Sequence, residues 1–154
     1  EIDFQSTVNV YFSIPLQRGD GYIGPLPTGT SLVNNISILS DVSVSYAPEG
    51  KSLLSASVVG TPHLMGEELI REVRTELAEL IKIGQADIKF LKSYYISRAL
   101  PKLKYPTMNL TREQIAQGNG IYLTGDYLLG GSLNGAMVSG RQCVESLLSE
   151  LEKN

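Results

Sequence analysis

The residues whose types and spacing best suit ligand contact lie at positions 120–141, GIYLTGDYLLGGSLNGAMVSGR. A short apolar strand over residues 121–124 leads to Gly125 and Asp126. Glycine has no Cβ atom, so its backbone can come close to another group. A carboxylate at the carboxyl end of a strand can accept hydrogen bonds from sugar or polyol hydroxyl groups. The pattern therefore predicts ligand contacts at Gly125 and Asp126.

A second ligand contact is predicted where the C-terminal helix begins, which the pattern places over residues 132–152. Ser132 follows two glycines and is a suitable N-cap, because its hydroxyl oxygen can accept a free amide proton of the first turn. The amide groups of Leu133, Asn134 and Gly135 would point outward and, with the helix dipole, favour a partly negative acceptor. An ordinary glycine-rich connection without a ligand is the alternative that the spacing leaves open.

Small residues inside the same helix predict close packing against one of its faces. Gly135, Ala136 and Gly140 lie there, although a glycine in a helix interior costs about 1 kcal/mol relative to alanine. We therefore expect another group to approach this face closely. One apolar stripe follows along the helix, made of Ala136, Gly140, Cys143, Val144, Leu147 and Leu151.

Other chemistry is weakly supported by the sequence. His63 is the sole histidine and has no cysteine near it, so no metal site is predicted. No arrangement of serine, histidine and aspartate stands out. Tyr94 and Tyr95 either line a substrate pocket or place one ring in the core and the other at the surface. Arg98 and Lys102 either contact an acidic group of a substrate or have ordinary surface roles.

Composition restricts the class of protein. The chain has 154 residues, 42% of them apolar, and a formal net charge of -3, which fits one globular domain and disfavours nucleic acid as a partner. No apolar run predicts a transmembrane segment, and no secretory signal pattern is present. Cys143 is the single cysteine and is predicted to be a small buried residue, so a reducing, cytoplasmic location is expected. The absence of Met at Glu1 favours a part of a longer polypeptide.

The elements that must position the candidate site follow from hydrophobic periodicity. Alternating apolar residues predict half-buried strands, and apolar residues three or four apart predict an amphipathic helix with acidic residues near its start. Residues 15–29, rich in glycine and proline, predict a loop. The predicted strands cover residues 7–14, 31–39, 42–46, 52–59, 87–98 and 121–124, and the helices cover 66–82, 111–117 and 132–152. Residues 31–39 and 42–46 are either two strands or one bent strand interrupted at Ser40 and Asp41. The order of these elements predicts an α+β fold with a sheet layer.

The segment at residues 120–141 resembles the C-terminal end of the FAD-dependent amine oxidase, protoporphyrinogen oxidase and phytoene desaturase superfamily. Residues 121–126 match the family's strand and Gly-Asp pair, residues 132–136 match the start of its last helix, and residues 139–141 match the Ser/Ala-Gly-x sequence that follows. Looser matches cover residues 41–51, DVSVSYAPEGK, and the strand and helix that follow them. The resemblance therefore extends over most of the chain.

The resemblance implies a role for each residue of the candidate site. Asp126 would contact the ribityl and pyrophosphate region of FAD, and the amides of Leu133 and Asn134 would face the flavin N1 and C2=O edge. Gly125, Ser132 and Ala136 would permit close approach. Residues 1–117 would form a substrate domain with a mixed or antiparallel sheet and one amphipathic helix, which forms one wall of an apolar pocket. Residues 118–154 would form the C-terminal strand, loop and helix of the FAD-binding domain.

The sequence departs from the family in one important respect. It lacks the N-terminal Rossmann GxGxxG motif, since Gly19, Gly21 and Gly24 lie in a predicted loop and do not open a helix. The resemblance thus implies a C-terminal part of an oxidoreductase that oxidises an amine or apolar substrate by hydride transfer to FAD, with no protein group as acid or base and little FAD affinity of its own. The alternative is a non-catalytic module that associates with itself through surface left exposed by the missing FAD domain. An unrelated α+β binding protein is a third possibility.

Overall fold

The computed structural model describes residues 2–15, 23–25, 31–60, 63–103 and 109–152, with the backbone alone described for 23–25. The chain divides into two compact units. One contains Ser6–Ser97, and the other contains Glu1–Gln5 and Arg98–Asn154.

A five-stranded sheet dominates the first unit. It is built from β1 (Phe4–Pro15), β2 (Ile23–Pro25), β3 (Asn35–Ile38), β4 (Lys51–Val59) and β5 (Lys89–Pro101), in the order β2-β3-β4-β1-β5. The pairs β2–β3, β3–β4 and β1–β4 are antiparallel. The predicted α+β class and the antiparallel alternative for the sheet are therefore confirmed.

Alternation along β1 and β4 explains the core. Val10 and Phe12 of β1 are fully buried, as are Leu54 and Ala56 of β4, while the residues between them are only half-buried. Because strand side chains alternate between faces, one face of the sheet becomes apolar. The helix α2 (Gly66–Ile81) covers that face with Leu69, Val73 and Leu77.

Glu76 links α2 to the segment that enters β3. Its carboxylate accepts hydrogen bonds from the amides of Leu32 at 3.0 Å and Val33 at 3.2 Å, and from the hydroxyl of Ser31. A carboxylate that accepts backbone amides satisfies donors that would otherwise lack partners at the strand entrance. The helix therefore contacts the sheet region by polar as well as apolar interactions.

The second unit contains the predicted C-terminal strand, loop and helix. A short helix α3 (Arg112–Ile115) begins at Thr111 with a capping box that uses Gln114. The strands β6 (Ala116–Gly118) and β7 (Ile121–Tyr122) pair in antiparallel orientation. The four-residue helix α4 (Asp126–Leu129) and the long helix α5 (Leu133–Leu151) follow.

Most of the elements predicted from periodicity are confirmed, with one clear error. The predicted strand over residues 42–46 is wrong: a four-residue helix α1 (Leu39–Val42) and a 3-10 turn (Val44–Tyr46) occupy this region. Local hydrogen bonds account for the difference, because the Ser43 amide donates to the Leu39 carbonyl at 3.2 Å and the Ser43 and Ser45 hydroxyls interact at 2.9 Å. The apolar alternation is real, but Val44 is 88% exposed.

Two other predictions are corrected within the described residues. Tyr94 and Tyr95 are both exposed, so neither ring enters the core, because β5 lies at the edge of the sheet beside β1. Of the predicted loop over residues 15–29, Pro15 ends β1 and residues 23–25 form β2. Gly24 is therefore in a strand, and Gly19 and Gly21 lie outside the described residues. In the part of the chain that the structure describes, no helix is long and apolar enough to cross a membrane.

Candidate functional site

The segment after β7 is held against the middle of α5 by hydrogen bonds. The Gly125 amide donates to the Ser139 hydroxyl at 2.9 Å, and the Thr124 and Ser139 hydroxyls interact at 3.1 Å. Ser139 is completely buried. A buried hydroxyl is stable only with such partners, so Ser139 fixes the position of Thr124 and Gly125 between β7 and α4.

Sequence reasoning gave Ser139 no such role. It was matched to the family motif, but its function as a buried link to Gly125 was not predicted. One sequence feature does indicate this role. Ser139 lies beside Gly140, one residue away from the predicted apolar stripe, and a serine at such a position is expected to be buried. The structure adds Ser139 to the candidate site as a positioning residue.

Position 125 requires a glycine, because a side chain there would collide with Tyr127. The φ of Gly125 is +155°, and a Cβ atom added there would lie 2.4 Å from Cε1 of Tyr127. The tyrosine ring therefore occupies the space that the missing side chain leaves. The close approach predicted at Gly125 is made by this ring within the structure.

Asp126 occupies the first position of α4, at the end of that turn. Its side chain makes no hydrogen bond or ion pair with another residue in the described ranges, and its backbone carbonyl accepts from the Gly130 amide at 2.8 Å. The carboxylate is half-buried. Asp126 thus offers an acceptor with unused capacity at the position predicted for ligand contact.

The N-terminus of α5 has the predicted geometry. Ser132 is the N-cap, in extended conformation, and its hydroxyl oxygen accepts from the Gly135 amide at 3.0 Å. The first amides of a helix have no intrahelical acceptor, which leaves those of Leu133 and Asn134 as donors. Both residues are exposed, Leu133 to 78%. The N-cap prediction is confirmed, and the two donors belong to exposed residues.

The small residues of α5 divide into two kinds. A Cβ atom at Gly135 would lie 2.3 Å from the Gly130 carbonyl oxygen, whereas one at Gly140 would lie 3.7 Å from Oγ1 of Thr124. Ala136 is half-buried, and its amide donates to the Ser132 carbonyl at 3.0 Å. The close packing predicted on this face is therefore made at Gly135, by the loop that precedes the helix.

These groups offer two hydrogen-bond donors and one carboxylate acceptor to a polar ligand. The free amides of Leu133 and Asn134 and the positive end of the helix dipole suit a carbonyl or a partly negative ring nitrogen. The Asp126 carboxylate suits a hydroxylated chain. At Gly130 an added Cβ would meet nothing within 4 Å, so the backbone of the loop remains open to approach.

The sheet face that points away from α2 is polar at its centre. The Asn9 side-chain oxygen accepts from the Ser57 hydroxyl at 2.9 Å and from the Ser55 hydroxyl at 3.2 Å. Beside them, the Tyr11 and Tyr94 rings meet edge to face with centroids 6.0 Å apart. The resemblance implies an apolar pocket wall, and this surface combines aromatic rings with amide and hydroxyl groups.

Two groups of the second unit have shifted acid–base behaviour. The hydrogen bond that Tyr122 donates to the Glu150 carboxylate raises the pKa of the phenol above its usual range. Glu150 also binds the Arg112 guanidinium, with an N–O distance of 2.6 Å. A backbone hydrogen bond and the Thr111 hydroxyl lower the pKa of Glu113. The Tyr122–Glu150 pair belongs to the contacts between α5 and the preceding segment, whereas the interactions of Glu113 stay within α3 and its N-cap.

Comparison with known proteins identifies similar folds. The PF1083 protein from Pyrococcus furiosus has a TM-score of 0.60 and 16% sequence identity, with 96% of this chain and 33% of that chain covered. A reduced UDP-galactopyranose mutase has a TM-score of 0.49 and 16% identity over 66% of this chain and 23% of that one. An oxidoreductase from Methanosarcina mazei has a TM-score of 0.49 and 16% identity over 94% and 35%.

These likenesses concern the fold alone. At 16% identity the first establishes a shared architecture, and the two at a TM-score of 0.49 carry no argument about this chain. The chain spans 33% of the length of the Pyrococcus furiosus protein. No family model and no curated protein matches the sequence.

Proposed function

We propose that this chain is the C-terminal part of an FAD-dependent oxidoreductase and that it supplies the flavin-facing side of the cofactor site. The observation that carries the proposal is that the Asp126 side chain and the amides of Leu133 and Asn134 have no hydrogen-bond partner among the described residues, while Ser132 caps the start of α5. The cofactor would supply a hydride acceptor at the flavin N5 atom. The chain's own residues would bind and orient it.

Each residue of the site has a distinct role in this proposal. The amides of Leu133 and Asn134 donate to the N1 and C2=O edge, and Asp126 accepts from the ribityl chain. Ser132 and Ser139 hold the loop and strand end in place through their hydrogen bonds to Gly135 and Gly125. The positive helix end favours the reduced flavin, because that form carries negative charge near N1.

A small amine or apolar molecule is the proposed substrate. The polar sheet face favours the amine, since the Asn9 amide and the tyrosine rings of Tyr11 and Tyr94 can interact with a polar or cationic nitrogen. No side chain of the described residues is proposed as an acid or base.

A charge substitution at the helix start tests the proposal. Asn134→Asp adds a carboxylate where the flavin carbonyl edge is expected, and we expect FAD binding to weaken by about tenfold or more, because the loss of one charge-sensitive contact is worth about 1.5–3 kcal/mol. FAD fluorescence quenching at millimolar protein measures the affinity. Asn35→Asp, an exposed asparagine of β3, is the matched control. Equal FAD affinity in both variants would overturn the proposed role of α5.

A second candidate function, self-association without catalysis, is favoured by one further observation. Along α5, six large apolar residues are exposed on one stripe: Leu133, Met137, Val144, Leu147, Leu148 and Leu151. Exposed apolar stripes of this kind are typical of interaction surfaces. Sedimentation of the chain and of a Val144→Gln/Leu148→Gln variant separates the two functions. A stable dimer that the double substitution dissociates, together with no FAD binding, would favour the association module.

A further inference from the structure

A cavity of 450 Å³ lies between α2 and the first residues of β5, and the proposed flavin site does not use it. Its lining comprises Glu67, Ile70, Arg71, Arg74 and Phe90. All five residues belong to the Ser6–Ser97 unit. The volume falls within the range of pockets that hold small organic ligands, roughly 300–1,000 Å³.

The floor of this cavity is apolar. The Phe90 ring meets the fully buried ring of Phe12 edge to face, with centroids 6.1 Å apart. Ile70 packs against the core cluster beside it. Because Phe90 remains 38% exposed, a further apolar group can be buried against it with a gain from the hydrophobic effect.

Two arginines lie above this floor, and their surroundings differ. Arg71 is compensated by Glu72 at 3.2 Å and Glu68 at 3.8 Å. Arg74 forms no ion pair with any residue of the described ranges, and its Nε atom is buried without a hydrogen-bond partner. A buried donor without an acceptor is costly, and an ionised acceptor is its strongest partner.

We infer that this cavity is a binding site for a small monocarboxylate with a flat apolar body, such as an aryl-substituted short-chain acid. The carboxylate pairs with the Arg74 guanidinium, and the apolar body lies against Phe90 and Ile70. Glu67 at the rim repels additional negative charge, which favours one carboxylate over a phosphate group. The site is independent of the proposed function, since every residue of the proposed flavin site lies in the other unit.

Amide and arginine Nε–H chemical shifts of the ¹⁵N-labelled chain test this site. The probes are 3-phenylpropionate, its neutral amide 3-phenylpropanamide, and inorganic phosphate. We expect saturable shifts at Ile70, Phe90 and the Arg74 Nε–H group with 3-phenylpropionate alone. The amide has the same apolar body without the charge, and phosphate has the charge without the body, so each probe isolates one half of the site.

Variants separate the two contacts. Arg74→Met should weaken 3-phenylpropionate binding by about tenfold or more, the loss expected for a hydrogen bond to a charged group. Phe90→Ala should weaken it as well, and Lys51→Met, which removes an exposed cation from β4, should leave it unchanged. The amide spectrum of each variant verifies that it is folded, and Phe90→Ala serves as the test if Arg74→Met does not fold.

Any of the following results would overturn the inference. One is the absence of any shift with 3-phenylpropionate at 10 mM, roughly ten times the concentration at which a weak millimolar ligand is half-bound. Another is equal binding of the neutral amide, which would reduce the cavity to an apolar patch. The third is equal binding of phosphate or an unchanged affinity in Arg74→Met, which would exclude the arginine as the recognition group.

Discussion

Gly135 and Gly140 of α5 differ sharply in what surrounds them. The space for a Cβ atom is occupied by the Gly130 carbonyl oxygen at Gly135 and is free at Gly140. Both residues looked alike in the sequence, as small positions on a face expected to pack closely. The structure assigns the close contact to Gly135, where the loop folds back on the first turn of the helix.

Alanine substitutions at these two glycines should therefore have opposite effects on stability. We expect Gly135→Ala to lower the free energy of unfolding by about 1–3 kcal/mol, because the new methyl group must displace backbone. Gly140→Ala should raise it by up to about 1 kcal/mol, the difference in helix propensity. Urea unfolding measures both. A neutral Gly135→Ala would show that the loop does not contact the helix as described.

The Tyr122 phenol should report the contact between α5 and the segment before it. Its pKa is raised chiefly by the hydrogen bond to Glu150, so the contact stabilises the fold below the pKa of an unfolded tyrosine, about 10. That stability is lost as the pH rises through the higher folded pKa. The tyrosinate absorbance of the wild type minus that of Tyr122→Phe gives the titration of this residue.

Glu150→Gln is the companion variant for that measurement. It removes the carboxylate while preserving the size of the side chain, and the Tyr122 titration should move to lower pH. An unchanged midpoint in Glu150→Gln would contradict the assignment of the shift to this carboxylate.

At the scale of the elements, the Glu76 carboxylate links α2 to the entrance of β3. Glu76→Ala removes the acceptor of two backbone amides and should cost about 1–3 kcal/mol of unfolding free energy. The exposed neighbour Glu79 makes a matched control, and Glu79→Ala should change stability by less than about 0.5 kcal/mol. Thermal and urea unfolding measure both variants. Equal stability of the two would show that this link contributes nothing to the fold.

Periodicity predicted the elements whose burial follows from local pattern. β1, β4 and α2 each bury one regular face, so alternation or helical spacing identifies them directly. Residues 42–46 show the same alternation, but they pair with no strand of the described residues, and local hydrogen bonds determine their conformation. A sequence pattern indicates which side chains can share a face, and it does not show whether a neighbouring strand is present to pair with them.

The candidate site, like the secondary structure, was predictable only where neighbouring residues in the chain determine the geometry. The N-cap role of Ser132 followed from residue type and position, since capping depends on neighbours one turn away. The link between Ser139 and Gly125 joins residues on different elements, so no local pattern shows it. The reason for Gly125 was likewise hidden, because the Tyr127 ring that fills its space turns back from the following helix.

At the scale of the whole molecule, the proposed cofactor role depends on more than this chain contains. The chain covers 33% of a protein with a similar fold. Gly19, Gly21 and Gly24 have the GxGxxG spacing, but they lie in a segment predicted as a loop and not at the start of a helix, where that motif holds the ADP half of FAD. The domain boundary predicted near residue 117 remains a prediction. We therefore expect contacts with the flavin ring at α5, together with a weak affinity of this chain for FAD.

The most direct test of this account is the amide spectrum of the ¹⁵N-labelled chain during titration with FAD, FMN and ADP to millimolar concentration. We expect FAD and FMN to change the chemical shifts of the Asp126, Leu133 and Asn134 amides. ADP, which lacks the isoalloxazine ring, should leave these chemical shifts unchanged. Unperturbed Leu133 and Asn134 amides at millimolar FAD, or equal shifts with ADP, would contradict the central claim.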